Sequence, residues 1–168
     1  HCAAFNGESR PLRAGPVHLG AVSVEIRPFL RNSLDVVATL LAQCGPQNRF
    51  IGNHDLLLAR QSSWLKEPTD PAYKTRWANS DFAARSKAVA QDLGLYALMQ
   101  GRGYSPAQLD ACLANQPLAE KLAKETEDAA SRIGVTGTPS FLINGKLQEV
   151  YGWEPLRPLI ESAIAQSR

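Results

Sequence analysis

Apolar and polar residues alternate along Ala21-Val22-Ser23-Val24-Glu25-Ile26-Arg27, a period of two rich in β-branched side chains. That pattern predicts a strand with one buried face, ended by Pro28. Ahead of it, Ala3 to Arg10 is compatible with a short helix closed by Pro11, followed by a loop around Gly15-Pro16. From Ser33 onward the period lengthens. Leu34, Val37, Ala38, Leu41 and Cys44 fall on one helix face, with Ser33 placed to cap it and Gly45-Pro46 to stop it. A second helix is expected over residues 48–65 on Phe50, Leu57, Leu58 and Leu65, then a loop from Pro68 to Pro71. Ser80 is placed to cap a third helix on Phe82, Val89 and Leu93, closed by Gly94, with a short helical turn over Leu95 to Gln100. Ser105-Pro106-Ala107-Gln108 combines a capping serine, a proline at the first helical position and a glutamine at the capping-box position.

The last third reads differently. Leu118, Leu122, Thr126, Ala129 and Ile133 line one side of an amphipathic helix from Pro117 to Ile133, with Gly134 past its end. Ser140-Phe141-Leu142-Ile143 and Leu147-Gln148-Glu149-Val150-Tyr151 flank Asn144-Gly145, a strong signal for a tight antiparallel hairpin. A closing helix is expected from Pro155 to about Gln166.

Composition narrows the class. A chain of 168 residues with 44% hydrophobic and 20% charged residues has the make-up of a globular domain. A domain this long buries about 70% of its unfolded surface, so its three cysteines are not needed as a scaffold. The longest apolar run, Val36 to Ala42 interrupted by Thr39, is far short of the ~20 residues that cross a bilayer. Eighteen basic and sixteen acidic residues, net +2 and without runs of one sign, leave no electrostatic footprint for nucleic acid. His18 and His54 lack ligand spacing with a cysteine or carboxylate, so no metal is expected. Trp64, Trp77, Trp153 and Tyr151 read as packing residues rather than a ligand box.

Two short segments carry candidate chemistry. Cys2 opens a helix, where unpaired N–H groups and the helix dipole favour a thiolate, and His1 beside it adds a donor or positive charge. Gly134-Val135-Thr136-Gly137-Thr138-Pro139 leads directly into a strand. Proline gives up a ladder donor, so Pro139 belongs at a first strand position or a special turn, with the Thr138-Pro139 bond either cis or trans. Cys44 and Cys112 both sit on predicted helices, either as a disulfide or as two separate buried thiols; the pair is the preferred reading.

The strings His1-Cys2-Ala3-Ala4-Phe5 and Gly137-Thr138-Pro139-Ser140-Phe141-Leu142-Ile143-Asn144-Gly145, with Trp153 before the last helix, resemble the DsbA-type thiol:disulfide oxidoreductases of the thioredoxin superfamily. The resemblance is specific at both ends and loose across the helical middle. It implies an α/β thioredoxin-like fold, residues 1–31 and 116–168, with an all-helical insertion over residues 32–115. Within it, Cys2 matches the second cysteine of the Cys-x-x-Cys motif, His1 the residue before it, and Pro139 the cis-proline facing the active-site disulfide. Thr138 matches the position whose backbone pairs with a bound peptide. Gly137, Phe5 and Trp153 are then candidates for a peptide-docking groove, and a noncatalytic disulfide such as Cys44–Cys112 occurs in some relatives. The first cysteine of the motif, and the strand leading to it, are expected upstream of His1.

The activity implied is the introduction of disulfides into exported proteins in a periplasm or similar oxidising space, without a cofactor. The implied partners are reduced or unfolded polypeptides and a membrane redox protein that reoxidises the site; the expected state is a monomer. An isomerase or reductase, and a redox-inactive peptide-binding module, are the alternatives.

Overall fold

The computed structural model describes residues 1–167, which form two compact units. One holds residues 1–27 and the chain from Thr126 onward, and the other holds Pro28–Glu125.

The first unit opens with α1 (Cys2–Glu8) and α2 (Arg10–Leu12), followed by a π-turn over Arg13–Val17. Pro11 does not close the helical stretch, as the sequence led one to expect. It occupies the first turn of α2, where a backbone N–H would have no helical partner to lose. Pro16 is accommodated inside the widened turn. The alternating segment 21–27 is not a strand: only Val22 and Ile26 are half-buried, and the segment has no ladder partner. Alternation supplies a face for a strand but not the neighbour that completes one, and among the described residues the sheet consists of β1 and β2 alone.

The hairpin forms as its turn residues require. β1 (Phe141–Ile143) pairs antiparallel with β2 (Lys146–Gln148), with Phe141 opposite Gln148 and Ile143 opposite Lys146. Asn144 and Gly145 take φ of 49° and 78°, the consecutive left-handed pair of a type I′ turn. Before it, α10 (Gln116–Asp128) passes into a π-turn over Ala129–Ile133. The extra residue in that turn rotates the face, so Ile133 is exposed instead of continuing the stripe that buries Leu122. The last helix, α11 (Trp153–Gln166), starts two residues earlier than expected, because Pro155 is tolerated in its first turn.

The second unit is helical: α3 (Ser33–Ala42), α4 (Phe50–Ala59), α5 (Gln61–Trp64), α6 (Tyr73–Trp77), α7 (Phe82–Asp92), α8 (Leu95–Gln100), α9 (Pro106–Leu113) and the part of α10 up to Glu125. Its core joins Val37 and Leu41 of α3, Val89 of α7, Met99 of α8 and Leu109 and Leu113 of α9, each 1% exposed or less. The N-caps lie one residue off two expectations. Asn32, not Ser33, accepts from Leu34 and Asp35, and Asp81, not Ser80, accepts from Ala84. The Ser105/Gln108 capping box is complete.

The helix expected over 48–65 breaks at Arg60. The break turns Trp64 inward, its indole N–H donating to the Leu57 carbonyl at 2.8 Å, and leaves Leu65 exposed. Helix α6, in a stretch for which the sequence pattern predicts no element, is held from outside itself: Arg76 pairs with Asp92 of α7 at 2.8 Å and with Asp70, and the Trp77 indole donates to Asp92.

Candidate functional site

Cys2 is the first residue of α1, half-buried, and the free cysteine of the described chain. His1 precedes it as N-cap, exposed, with no capping bond from its side chain; its carbonyl accepts from Phe5 N–H at 3.0 Å. Phe5 lies three residues beyond Cys2, hence on the same helix face. Its ring stands 4.6 Å from that of Phe141 on β1 and 6.5 Å, edge-on, from that of Trp153 at the start of α11. Aromatic pairs in this range add about 0.5–1.5 kcal/mol beyond area burial, and this set fastens the cysteine-bearing helix to the hairpin.

The approach to β1 is the second part of the site. Gly134 takes a left-handed φ of 85°, ending the π-turn, and the buried Val135 returns its N–H to the Ala129 carbonyl. Gly137, Thr138, Pro139 and Ser140 follow, all half-buried, with a cis peptide bond between Thr138 and Pro139. The Ser140 hydroxyl donates to the Gly137 carbonyl at 2.7 Å. Neither the N–H nor the C=O of Thr138 bonds to another described residue. A half-buried backbone amide with both groups open is a place where an extended chain can add itself.

His1, Cys2, Phe5, Gly137, Thr138 and Pro139 thus all fall in the first unit, joined through Phe5 and Phe141. Trp153 is 8% exposed and packs edge-on against Phe5, in keeping with its reading as a packing residue. Tyr151, expected to pack, is 81% exposed instead, on the irregular stretch between β2 and α11. Phe141 and Ser140 were visible in the sequence only as strand residues; their roles depend on what lies opposite, which periodicity does not encode. Among the described residues no group of three or more His, Cys, Asp or Glu side chains is placed to hold a metal ion.

In the second unit Cys44 and Cys112 are joined by a disulfide across a sequence separation of 68, with Cα atoms 5.6 Å apart. Polar bonds hold the same corner. The fully buried Asn53 amide donates to the carbonyls of Ala42 and Cys44 and, at 2.8 Å, to the Tyr104 hydroxyl, which itself donates to the Cys44 carbonyl at 2.7 Å. Arg102 donates to the remaining Asn53 oxygen at 2.9 Å. Two residues before Cys112, Asp110 accepts from the Tyr96 hydroxyl and pairs with Lys87 at 3.1 Å. The Tyr96 bond and then Lys87 hold the Asp110 carboxyl below its usual range, while burial and the carboxylate push the Tyr96 hydroxyl well above its own.

Comparison with known proteins agrees with this geometry. Proteins of Rickettsia bellii and Rickettsia typhi, both named "Putative protein-disulfide oxidoreductase", are 25% and 26% identical over 100% and 98% of this chain. The chain spans just over half of their length, 58% and 54%. The crystal structure of a protein-disulfide isomerase from Novosphingobium aromaticivorans superposes with a TM-score of 0.90 at 38% identity, over 98% of this chain and 86% of that one. A family profile described as "Thioredoxin" matches residues 1–162. With a thioredoxin-like fold, a cysteine at the head of α1 and a proline entering the hairpin, the chain belongs to the thioredoxin family.

Proposed function

We propose that the chain is part of a thiol:disulfide oxidoreductase that introduces disulfides into exported proteins. The observation carrying this reading is the half-buried free thiol of Cys2 on a helix that Phe5 ties to the strand following Thr138-Pro139. The names of the relatives support it.

In this proposal Cys2 shares a disulfide with a cysteine two residues ahead of His1. A substrate thiolate attacks the upstream sulfur, breaking that bond and leaving a mixed disulfide and the Cys2 thiolate. A second substrate thiolate then attacks the mixed disulfide. The substrate gains one disulfide, the protein gains two thiols, and two electrons have passed to the protein. Attack by Cys2 on the mixed disulfide is the return step. A membrane redox protein removes the electrons, and the compartment is periplasmic or comparably oxidising. The backbone of Thr138 pairs with the substrate chain while exchange proceeds.

The test is oxidation of a reduced, unfolded protein by the protein carrying its upstream residues. Loss of oxidation on Cys2→Ser supports the reading, and undiminished oxidation by that variant overturns it. Similarity to the Novosphingobium isomerase favours isomerisation as the second reading. Faster reshuffling of scrambled disulfides than oxidation of dithiols, with a reduction potential near that of thioredoxin, selects it. Peptide binding with no exchange in either assay selects a redox-inactive module.

A further inference from the structure

The Ser140 hydroxyl and the Gly137 carbonyl, 2.7 Å apart, close a small ring around Thr138 and Pro139. Gly137 has no side chain to restrict its backbone. Nothing lies within 4 Å of where its Cβ would stand, and its carbonyl takes no other donor among the described residues. No ladder restrains the segment either, since β1 begins only at Phe141. A glycine with open space around it samples many backbone conformations, and a local side-chain bond to its carbonyl is the device that selects one.

We infer that Ser140 is a positioning residue for peptide recognition: its hydroxyl holds the Gly137 carbonyl so that the open N–H and C=O of Thr138 face an incoming cysteine-containing chain. This rests on the peptide-exchange reading above and adds to it a residue that touches neither the thiol nor the peptide. Binding is the step it governs. A segment already held in the paired conformation does not have to be ordered by the substrate.

The experiment uses this chain, in which Cys44 and Cys112 are already joined. The probe is an extended peptide with one cysteine, supplied as its mixed disulfide with thionitrobenzoate. The Cys2 thiolate attacks the peptide sulfur, one S–S bond forms as one breaks, and coloured thionitrobenzoate leaves, so no outside oxidant or reductant is consumed. Rates at increasing peptide concentration give a half-saturation concentration and a maximal rate.

Ser140→Ala is expected to raise the half-saturation concentration roughly fivefold, the scale of one net hydrogen bond, with a much smaller change in maximal rate. Ser140→Thr, which keeps the hydroxyl, restores it. Ser131→Ala, removing an exposed hydroxyl that bonds within its own helical turn, leaves both constants unchanged. An unchanged half-saturation value for Ser140→Ala, a loss confined to maximal rate, or failure of Ser140→Thr to restore binding overturns the inference. A wild-type rate that rises linearly with peptide and never saturates removes the peptide-binding reading itself, and the inference with it.

Discussion

The rings of Phe5 and Phe141 stand 4.6 Å apart, tilted by 44°, and join the helix that begins at Cys2 to the strand that begins two residues after Pro139. Among the described residues of the first unit, no other aromatic contact links these two stretches, apart from that of Trp153 behind Phe5. Phe5→Ala removes both contacts from a half-buried site. It should lower unfolding stability by about 2 kcal/mol in denaturant titration, below the 3–5 of a fully buried phenylalanine. Phe5→Leu, which keeps most of the apolar contact, should recover more than half of that loss.

Removing the Cys44–Cys112 bond releases the chain between them in the unfolded state. For a separation of 68 the chain-entropy relation gives about 4 kcal/mol as the upper loss for the Cys44→Ala, Cys112→Ala double variant. Urea titration of the two proteins measures it, and a loss below about 1 kcal/mol contradicts the assignment of stabilisation to loop closure.

Asn53 is fully buried and its amide is spent on the carbonyls of Ala42 and Cys44 and on Tyr104. Asn53→Leu fills similar space but takes the Asn53 bond from the Ala42 carbonyl and from the Arg102 donor, and leaves the Cys44 carbonyl with Tyr104 alone. It should cost about 2–4 kcal/mol, whereas Tyr104→Phe, which takes away one hydroxyl, should cost about 1–2. Thermal unfolding of both variants gives the ordering, and the reverse order contradicts the network.

The Tyr96–Asp110 bond makes stability pH-dependent at both extremes. Tyr96 holds its proton more tightly folded than unfolded, so its contribution is complete below about pH 10 and declines as pH rises above that. Asp110 has its folded pKa lowered, so its contribution is present above about pH 4 and fades as pH falls below that. Tyr96→Phe removes the proton donor of the pair, and its stability profile should be flatter than wild type above pH 10 and below pH 4. Denaturant midpoints across pH measure this, and parallel profiles contradict it.

Much of the fold was legible because it is locally determined. The Ser105/Gln108 capping box, the Asn144-Gly145 turn and the left-handed glycines at 94 and 134 each follow from a few adjacent residues. Illegible parts depend on distant partners. The 21–27 segment alternates correctly but has no ladder to join, and α6 is fixed by Asp92, fifteen or more positions away. Ile133 reads as a stripe residue until a π-turn shifts the register by one. The site divides in the same manner. Cys2 and Pro139 stand out by type and context, while the Ser140 bond to the Gly137 carbonyl and the Phe5–Trp153 contact are not recorded by a linear pattern.

The Cys44 corner is secured twice, once by sulfur and once by two donors converging on its carbonyl. The two fastenings respond to different insults: reductant severs only the first, while disruption of the buried amide network severs only the second. Reduction of the disulfide therefore leaves one anchor that no thiol can attack. Asn53 and Tyr104 bind the Cys44 carbonyl through nitrogen and oxygen, so the corner has a fastening whose chemistry is independent of the redox state of Cys44 and Cys112.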